Sequence, residues 1–171
     1  NAIAQKRELT EVKDAADSLY EAAGKLTDTS ASKSLFKKAD KVTNDITSAV
    51  KDYVKNYNSL IEEAADTTNS KVTGKVSFMT GQANAYKSSL EKVGITINSD
   101  KTLSIDEDTF KKSDISDVKK LFNGSGSMAY QTFVRASDIS SAAENASTSV
   151  TSYGADGMYN NYYNSAYNWY L

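Results

Sequence analysis

Residues 90–122 read LEKVGITINSDKTLSIDEDTFKKSDISDVKKLF, and this stretch decides the fold. Gly94 follows the apolar Leu90 and Val93, at a place where a helix would end with a residue in the left-handed conformation. Two short segments, ITI and TLSI, then alternate apolar and polar side chains around the polar turn NSDK. The stretch therefore predicts a helix end followed directly by a β-hairpin over residues 95–105.

Two capped helices are predicted to follow the hairpin. Asp106 lies where it would N-cap a helix, and the two acidic residues after it would place negative charge at the positive end of that helix. Ser113 or Ser116 would cap a second helix that ends on the apolar pair at residues 121–122. Because an isolated hairpin is marginally stable in water, we expect its apolar side chains to pack on helices.

Three segments carry apolar side chains at the alternating three- and four-residue spacing of a heptad repeat. The first seam consists of Leu9, Val12, Ala16, Leu19, Ala23 and Leu26. The second consists of Leu35, Ala39, Val42, Ile46, Ala49, Tyr53, Tyr57, Leu60 and Ala64. The third consists of Val72, Val76, Met79, Ala83, Tyr86, Leu90 and Val93. Short polar breaks separate the three, so we expect each seam to lie on one helix.

These seams predict a mainly α fold, an antiparallel helical bundle or coiled coil with one small β-hairpin that caps one end. The absence of proline agrees with long uninterrupted helices. A fourth helix is expected over about residues 127–148, because small apolar side chains recur there and just beyond: Ala136, Ile139, Ala143, Ala146 and Val150.

Charge is unevenly distributed along the chain. Of 42 charged side chains, 20 basic and 22 acidic, four follow Lys120: Arg135, Asp138, Glu144 and Asp156. This shift places the one predicted internal boundary near residues 123–127. We expect residues 3–122 to form the helical bundle with its hairpin, and residues 123–171 to form an Ala/Ser-rich helix and a Tyr/Asn-rich tail.

The tail, residues 153–171, holds six of the eleven tyrosines and the one tryptophan of the chain. The candidate interaction residues are Tyr159, Tyr162, Tyr163, Tyr167, Trp169 and Tyr170. Their spacing favours an aromatic face on a helix, whereas the intervening asparagines favour a disordered segment. Tyrosine and tryptophan supply large contact areas with a polar tip. The aromatic face would therefore cover the bundle as a last helix, or serve as a contact surface for assembly or for a ligand such as a carbohydrate.

The composition argues against catalysis and against bound cofactors. There is no cysteine and no histidine, so thiol chemistry, the commonest general base and the commonest zinc ligand are missing. The acidic group of residues 100 and 106–108 lacks the residue order and the sixth-position glycine of an EF-hand. We therefore expect no catalytic, cofactor-binding or metal site. A net charge of −2 gives no reason to expect nucleic acid binding, and no apolar run approaches the roughly 18 residues of a membrane span.

The hairpin region resembles the C-terminal region of the bacterial flagellar filament-capping family, also called hook-associated protein 2. The similarity lies in the order Gly-Ile-Thr, polar turn, Leu-x-Ile-Asp-Glu and then DVKKLF. Upstream, residues 50–61 (VKDYVKNYNSLI) are similar to the V-x-x-F-V-x-x-Y-N-S-L-I segment of that family. Residues 124–136 resemble, more loosely, the family's return into an Ala/Ser-rich helix. The family's long C-terminal heptad helix is replaced here by the Tyr/Asn-rich tail, and its usual head domains are missing, so we expect an excerpt or a short relative.

The resemblance implies a non-enzymatic, secreted and oligomeric component of the flagellum that supports flagellin assembly at the filament tip. It also implies self-association, contacts with flagellin and the hook–filament junction, and the paired terminal helices of axial flagellar proteins. The alternative is a secreted coiled-coil adaptor or surface adhesin of a different system, with the aromatic tail as its contact surface.

Overall fold

Seven helices and one two-stranded hairpin build residues 1–153, the part of the chain that the computed structural model describes, with side chains through residue 150. The long helices are α1 (Ala2–Thr27), α2 (Asn44–Ala64), α3 (Ser70–Asn84) and α7 (Met128–Tyr153). Between α3 and α7 lie α4 (Lys87–Lys92), β1 (Ile95–Ile97), β2 (Leu103–Ile105), α5 (Glu107–Lys111) and α6 (Ile115–Phe122). The predicted mainly α class with one small hairpin is confirmed.

The first and last helices form an antiparallel pair that runs the length of the bundle. Gly24 of α1 lies beside Phe133 of α7, and a Cβ on this glycine would stand 3.1 Å from the ring. Farther along the pair, the hydroxyl of Ser140 donates a hydrogen bond to Asp17. All six side chains of the first predicted seam are buried, and so are Ala136, Ile139 and Ala143 on α7. A narrow apolar stripe on each helix therefore closes the interface.

Helices α2 and α3 complete the bundle on either side of this pair. The Tyr53 hydroxyl on α2 is 2.7 Å from the Thr132 hydroxyl on α7, and both groups are buried. On the other side, Lys75 of α3 forms an ion pair of 3.2 Å with Asp138 of α7. Val72, Val76, Met79 and Ala83 are buried as the third seam predicts. The long helices thus share one continuous core.

The second seam was predicted to begin a helix at Leu35, and this start is wrong. Helix α2 begins at Asn44, where the side chain of Thr43 accepts a hydrogen bond of 3.1 Å from the Ile46 backbone N–H. Residues 28–43 form turns, and Phe36 is buried from within them. Lys119 from α6 donates a hydrogen bond of 3.2 Å to the Ala39 carbonyl. Apolar side chains of this segment therefore reach the core without a helical backbone.

The third seam spans two helices rather than one. Helix α3 ends at Asn84 and α4 begins at Lys87. At the break, the Tyr86 N–H bonds to the Ala83 carbonyl three residues back, at 2.9 Å, which tightens the turn and redirects the chain. Leu90 on α4 and Val93 just after it remain buried, so the seam continues across the break.

The hairpin follows the prediction closely. β1 and β2 are antiparallel, with Ile97 opposite Leu103. Gly94 has a φ of +82°, as expected for a left-handed helix terminus, and a Cβ there would stand 2.9 Å from the Cβ of Thr109. Its carbonyl accepts a hydrogen bond of 2.8 Å from the Asp106 N–H, which closes the hairpin base.

The helices after the hairpin confirm one predicted cap and correct the other. Asp106 caps α5 through a 3.1 Å hydrogen bond from the Thr109 N–H. Helix α6 is capped by Asp114, which accepts a 2.8 Å hydrogen bond from the Ser116 N–H, rather than by Ser113 or Ser116. The carboxylate also accepts from the Ser116 hydroxyl, and these bonds lower the pKa of Asp114. A charged acceptor at the positive helix end gives the stronger cap.

Candidate interaction surfaces

The side-chain amide of Asn58 joins the hairpin to α2. Asn58 Oδ1 accepts a hydrogen bond of 2.7 Å from the Leu103 N–H, and Asn58 Nδ2 donates one of 2.8 Å to the Leu103 carbonyl. Both backbone groups lie on the edge of β2 that does not pair with β1, so the amide takes the place of a third strand. Asn58 belongs to the Tyr-Asn-Ser-Leu-Ile motif. The two segments that carry the resemblance, which are far apart in the sequence, are thus in direct contact.

Aromatic packing and one ion pair reinforce this junction. Tyr53 on α2 meets Phe122 edge to face at a centroid distance of 5.6 Å, and Phe122 meets Phe110 at 6.5 Å. Lys51 and Glu107 form an ion pair of 3.0 Å. Hydrogen bonds from Lys51 and then Lys111 hold the pKa of Glu107 below its usual value. The unit from α4 to α6 is therefore fixed to α2 by apolar and polar contacts together.

Three of the acidic residues near the hairpin have structural partners. The Asp100 carboxylate accepts hydrogen bonds from the Thr102 hydroxyl and N–H within the turn, and these bonds lower its pKa. Asp106 and Glu107 serve as the helix cap and the ion-pair partner already described. No cluster of three or more acidic residues suited to a metal ion occurs within residues 1–153.

A second surface is aromatic and lies across the α1–α7 pair. Tyr20 of α1 stacks on Phe133 of α7 at a centroid distance of 4.2 Å, and Tyr130 lies 6.0 Å from the same ring. More than a third of Tyr20 and of Tyr130 is exposed. On the α3 side of α7, the Arg135 guanidinium lies 4.9 Å from the ring of Phe78, which is 54% exposed. Partly exposed aromatic groups and arginine are typical of contact surfaces.

A third surface is a groove at the end of the bundle where α1 begins and α7 ends. It has a volume of about 800 Å³. The start of α1, the start of α3 and the second half of α7 form its walls. We call it the terminal groove and define it by Ala2, Gln5, Lys71, Ala142, Ala146 and Val150.

The interaction residues that the sequence predicts (Tyr159, Tyr162, Tyr163, Tyr167, Trp169 and Tyr170) lie outside the described residues. The three surfaces above involve other side chains. The sequence did point to Asn58, because this residue lies within the Tyr-Asn-Ser-Leu-Ile motif that resembles the flagellar family. No pattern in the sequence indicated the stacking of Tyr20 on Phe133, since this contact depends on how two distant helices align.

Within the described part of the chain, no helix is long and apolar enough to cross a membrane.

The comparisons with known proteins give one family. No curated protein and no solved structure matches the chain. The family described as flagellar hook-associated protein 2 C-terminus matches residues 74–168, which is more than half of the chain. The match begins after the Tyr-Asn-Ser-Leu-Ile motif, contains the whole hairpin unit and continues through α7 into the tail. The chain belongs to the flagellar hook-associated protein 2 C-terminus family.

Proposed function

We propose that this chain is a structural component of the bacterial flagellar filament cap and supports flagellin assembly at the filament tip. The observation that carries the proposal is the family match over residues 74–168. The family concerns the C-terminal part of a hook-associated protein, and an axial flagellar part acts outside the cell. The proposed role is mechanical and non-enzymatic.

The architecture suits such a role. A cap must hold its shape while subunits are added beneath it, and rigidity comes from close packing and satisfied polar groups. The antiparallel α1–α7 pair provides a long strut, and the Asn58 amide fixes the hairpin unit to the bundle beside it. Exposed aromatic side chains such as Tyr20 and Phe78 provide contact area for other subunits.

Self-association and contacts with flagellin and the hook–filament junction belong to this proposal. The tail residues Tyr159, Tyr162, Tyr163, Tyr167, Trp169 and Tyr170 belong to it as contact side chains. Their near lack of charge supports this assignment, because Asp156 is the one ionised side chain after residue 153.

The test is to delete the coding sequence in a flagellated bacterium that carries it and to measure flagellin in the medium and on the cell. If the chain supports assembly at the tip, exported flagellin is lost to the medium and filaments are short or missing. Supplying the intact gene in trans should restore filament length, which controls for effects on neighbouring genes.

A normal filament with unchanged flagellin in the medium would overturn the proposal. If the same deletion strain also lost attachment to surfaces, the adhesin alternative would be favoured instead.

A further inference from the structure

Two consecutive residues of the loop between α6 and α7 hold the C-terminal end of α1. Asn123 Nδ2 donates hydrogen bonds of 2.9 Å to the Leu26 carbonyl and 3.2 Å to the Asp28 carbonyl. The Gly124 N–H donates one of 3.3 Å to the Thr27 carbonyl between them. The last carbonyls of a helix have no partner within the helix, so this loop satisfies three consecutive acceptors that α1 leaves open. We call these three hydrogen bonds the α1-end contact.

The α1-end contact explains why asparagine stands directly before glycine. Gly124 has a φ of +82°, which favours glycine over residues with a side chain. Position 123 needs a side chain that donates, because carbonyl oxygens only accept, and a neutral amide carries two N–H groups for two carbonyls. The fold therefore uses an Asn-Gly pair here, and the sequence contains this pair nowhere else.

An Asn-Gly pair also has a reactivity that its structural role does not use. The backbone nitrogen after an asparagine can attack the side-chain amide, and glycine hinders that approach least because it has no side chain. We propose that Asn123 is a site of spontaneous deamidation and that this modification permanently breaks the α1-end contact. The inference does not depend on the proposed cap function.

The reaction needs water as its one co-reactant and no oxidant or reductant. The Gly124 nitrogen attacks Asn123 Cγ and forms a carbon–nitrogen bond, which closes a five-membered imide. The bond from Cγ to Nδ2 breaks, and Nδ2 leaves as ammonia with the proton that the Gly124 nitrogen loses. Water then opens the imide at either carbonyl, so residue 123 becomes aspartate or isoaspartate.

The folded structure sets when this reaction occurs. The attacking nitrogen of Gly124 is engaged with Thr27, and the leaving Nδ2 of Asn123 is engaged with two carbonyls. Both residues are half-buried rather than enclosed, and the 3.3 Å bond from Gly124 is long for an N–H donor. The reaction should therefore be slower in the folded chain than in the unfolded one, and should proceed when the loop opens.

Deamidation would reverse the hydrogen-bonding character of residue 123. A carboxylate has no N–H to donate, and it would face carbonyl oxygens at the negative end of the α1 dipole. The isoaspartate product also lengthens the backbone by one methylene group. Helix α7 starts at Met128, shortly after the loop, and its Phe133 lies beside Gly24 of α1. The modification would thus loosen the end of the bundle at which α1 and α7 meet.

A pair of matched substitutions in the full chain tests the structural part. Asn123→Asp reproduces the aspartate product. Asn69→Asp adds the same charge where the side chain accepts instead of donating, because Asn69 Oδ1 accepts a 3.1 Å hydrogen bond from the Val72 N–H at the start of α3. Aspartate serves equally well at such a position.

Calorimetry should show a melting temperature at least about 4 °C lower for Asn123→Asp and a change within about 2 °C for Asn69→Asp. Asn123→Ala removes the donor without adding a charge, so it should melt between Asn123→Asp and the unchanged chain. Circular dichroism verifies that each variant is folded. Equal melting temperatures for the two aspartate variants would overturn the inference.

The chemical part is tested by incubating the unchanged full chain at mildly alkaline pH, folded and in urea. Peptide mass spectrometry follows the replacement of NH₂ by OH at each asparagine. We expect Asn123 to convert several-fold faster than Asn69, which precedes a serine, and faster in urea than in the folded chain. The converted fraction, separated by its extra negative charge, should melt below the unconverted one.

No conversion at Asn123, or conversion no faster than at Asn69, would overturn the proposal. A converted fraction that melts at the same temperature as the unconverted one would also overturn it, because the amide would then be dispensable. None of these results bears on the flagellin measurement that tests the cap function.

Discussion

Two tyrosines that lie one helical turn apart on α2 differ in the hydrogen bonding of their buried hydroxyl groups. Tyr53 and Tyr57 are both fully buried, with ring centroids 5.9 Å apart. The Tyr53 hydroxyl has Thr132 as a partner, whereas the buried Tyr57 hydroxyl has no hydrogen-bond partner within the described residues. Burial raises the pKa of both phenols above its usual value, so both remain neutral at physiological pH. Their contributions to stability should therefore differ through hydrogen bonding alone.

We expect Tyr53→Phe to reduce the free energy of unfolding by about 1 kcal/mol, because one buried hydrogen bond is lost. The loss should not be larger, since the Thr132 hydroxyl keeps its bond to the Met128 carbonyl at 3.1 Å. Tyr57→Phe should change stability by less than about 0.5 kcal/mol or increase it, because an unsatisfied buried group is removed. Urea unfolding of both variants measures the difference. A larger loss for Tyr57→Phe than for Tyr53→Phe would contradict this assignment.

At the scale of single residues, the sequence predicted which side chains are buried but not which groups they bond to. The heptad spacing placed both tyrosines on the apolar seam, and both are buried. The hydrogen bond to Thr132 joins residues 79 positions apart in the chain, so no local pattern contains it. The helix caps support this distinction between local and distant partners. The Asp106 side chain accepts a hydrogen bond from the backbone three residues ahead, so the neighbouring residues alone were enough to predict it as a cap.

At the scale of elements, the hairpin was predictable and its attachment was not. Gly94, the alternating strands and Asp106 are signals within a few residues of one another, and each element they define is present. The helix start at Leu35 was wrong because heptad spacing reports which side chains are buried, not which backbone carries them. Residues 28–43 bury Phe36 and half-bury Leu35 and Ala39 without a helix. The Asn58 contact depends on how α2 and β2 align in space.

The Asn58 amide gives the sharpest prediction for an element. Asn58→Ala leaves the N–H and carbonyl of Leu103 without their partner at a partly buried site, and we expect a loss of about 1–3 kcal/mol. Asn56→Ala is the matched control, because its amide bonds back to Asp52 on the exposed side of the same helix. That change should cost within about 0.5 kcal/mol.

Urea unfolding measures both losses, and hydrogen exchange locates them. The Leu103 amide should lose protection in Asn58→Ala and retain it in Asn56→Ala. If the Leu103 amide stayed equally protected in both variants, the hairpin would be held by its apolar contacts and the amide would be dispensable.

For the whole molecule, the main organising contact joins the two ends of the described chain. Helices α1 and α7 pair antiparallel over most of their length, although about a hundred residues separate them. The sequence predicted their seams and a bundle, but seam spacing alone does not say which helix meets which. The pairing of α1 with α7 was therefore not predicted.

The sequence predicts that the Tyr/Asn-rich tail either covers the bundle or joins subunits. Deleting residues 154–171 should uncover the seam at Ala2, Ala146 and Val150 if the tail fills the terminal groove. In a chain of this size each 1 kcal/mol lowers the melting temperature by about 2–4 °C. If the tail covers the bundle, several tyrosine contacts would be lost together, and the melting temperature should fall by about 5–10 °C with a monomeric mass throughout.

Calorimetry and light scattering over a concentration series separate this outcome from two others, with the full chain as reference at each concentration. If the full chain self-associates and the truncated chain does not, at an unchanged melting temperature, the tail acts between subunits and the groove is not its site. If neither mass nor melting temperature changes, the tail makes no stable contact with the bundle. A fall in melting temperature without a change in mass is the result that agrees with a tail that covers the bundle, because covering the seam then stabilises each chain by itself.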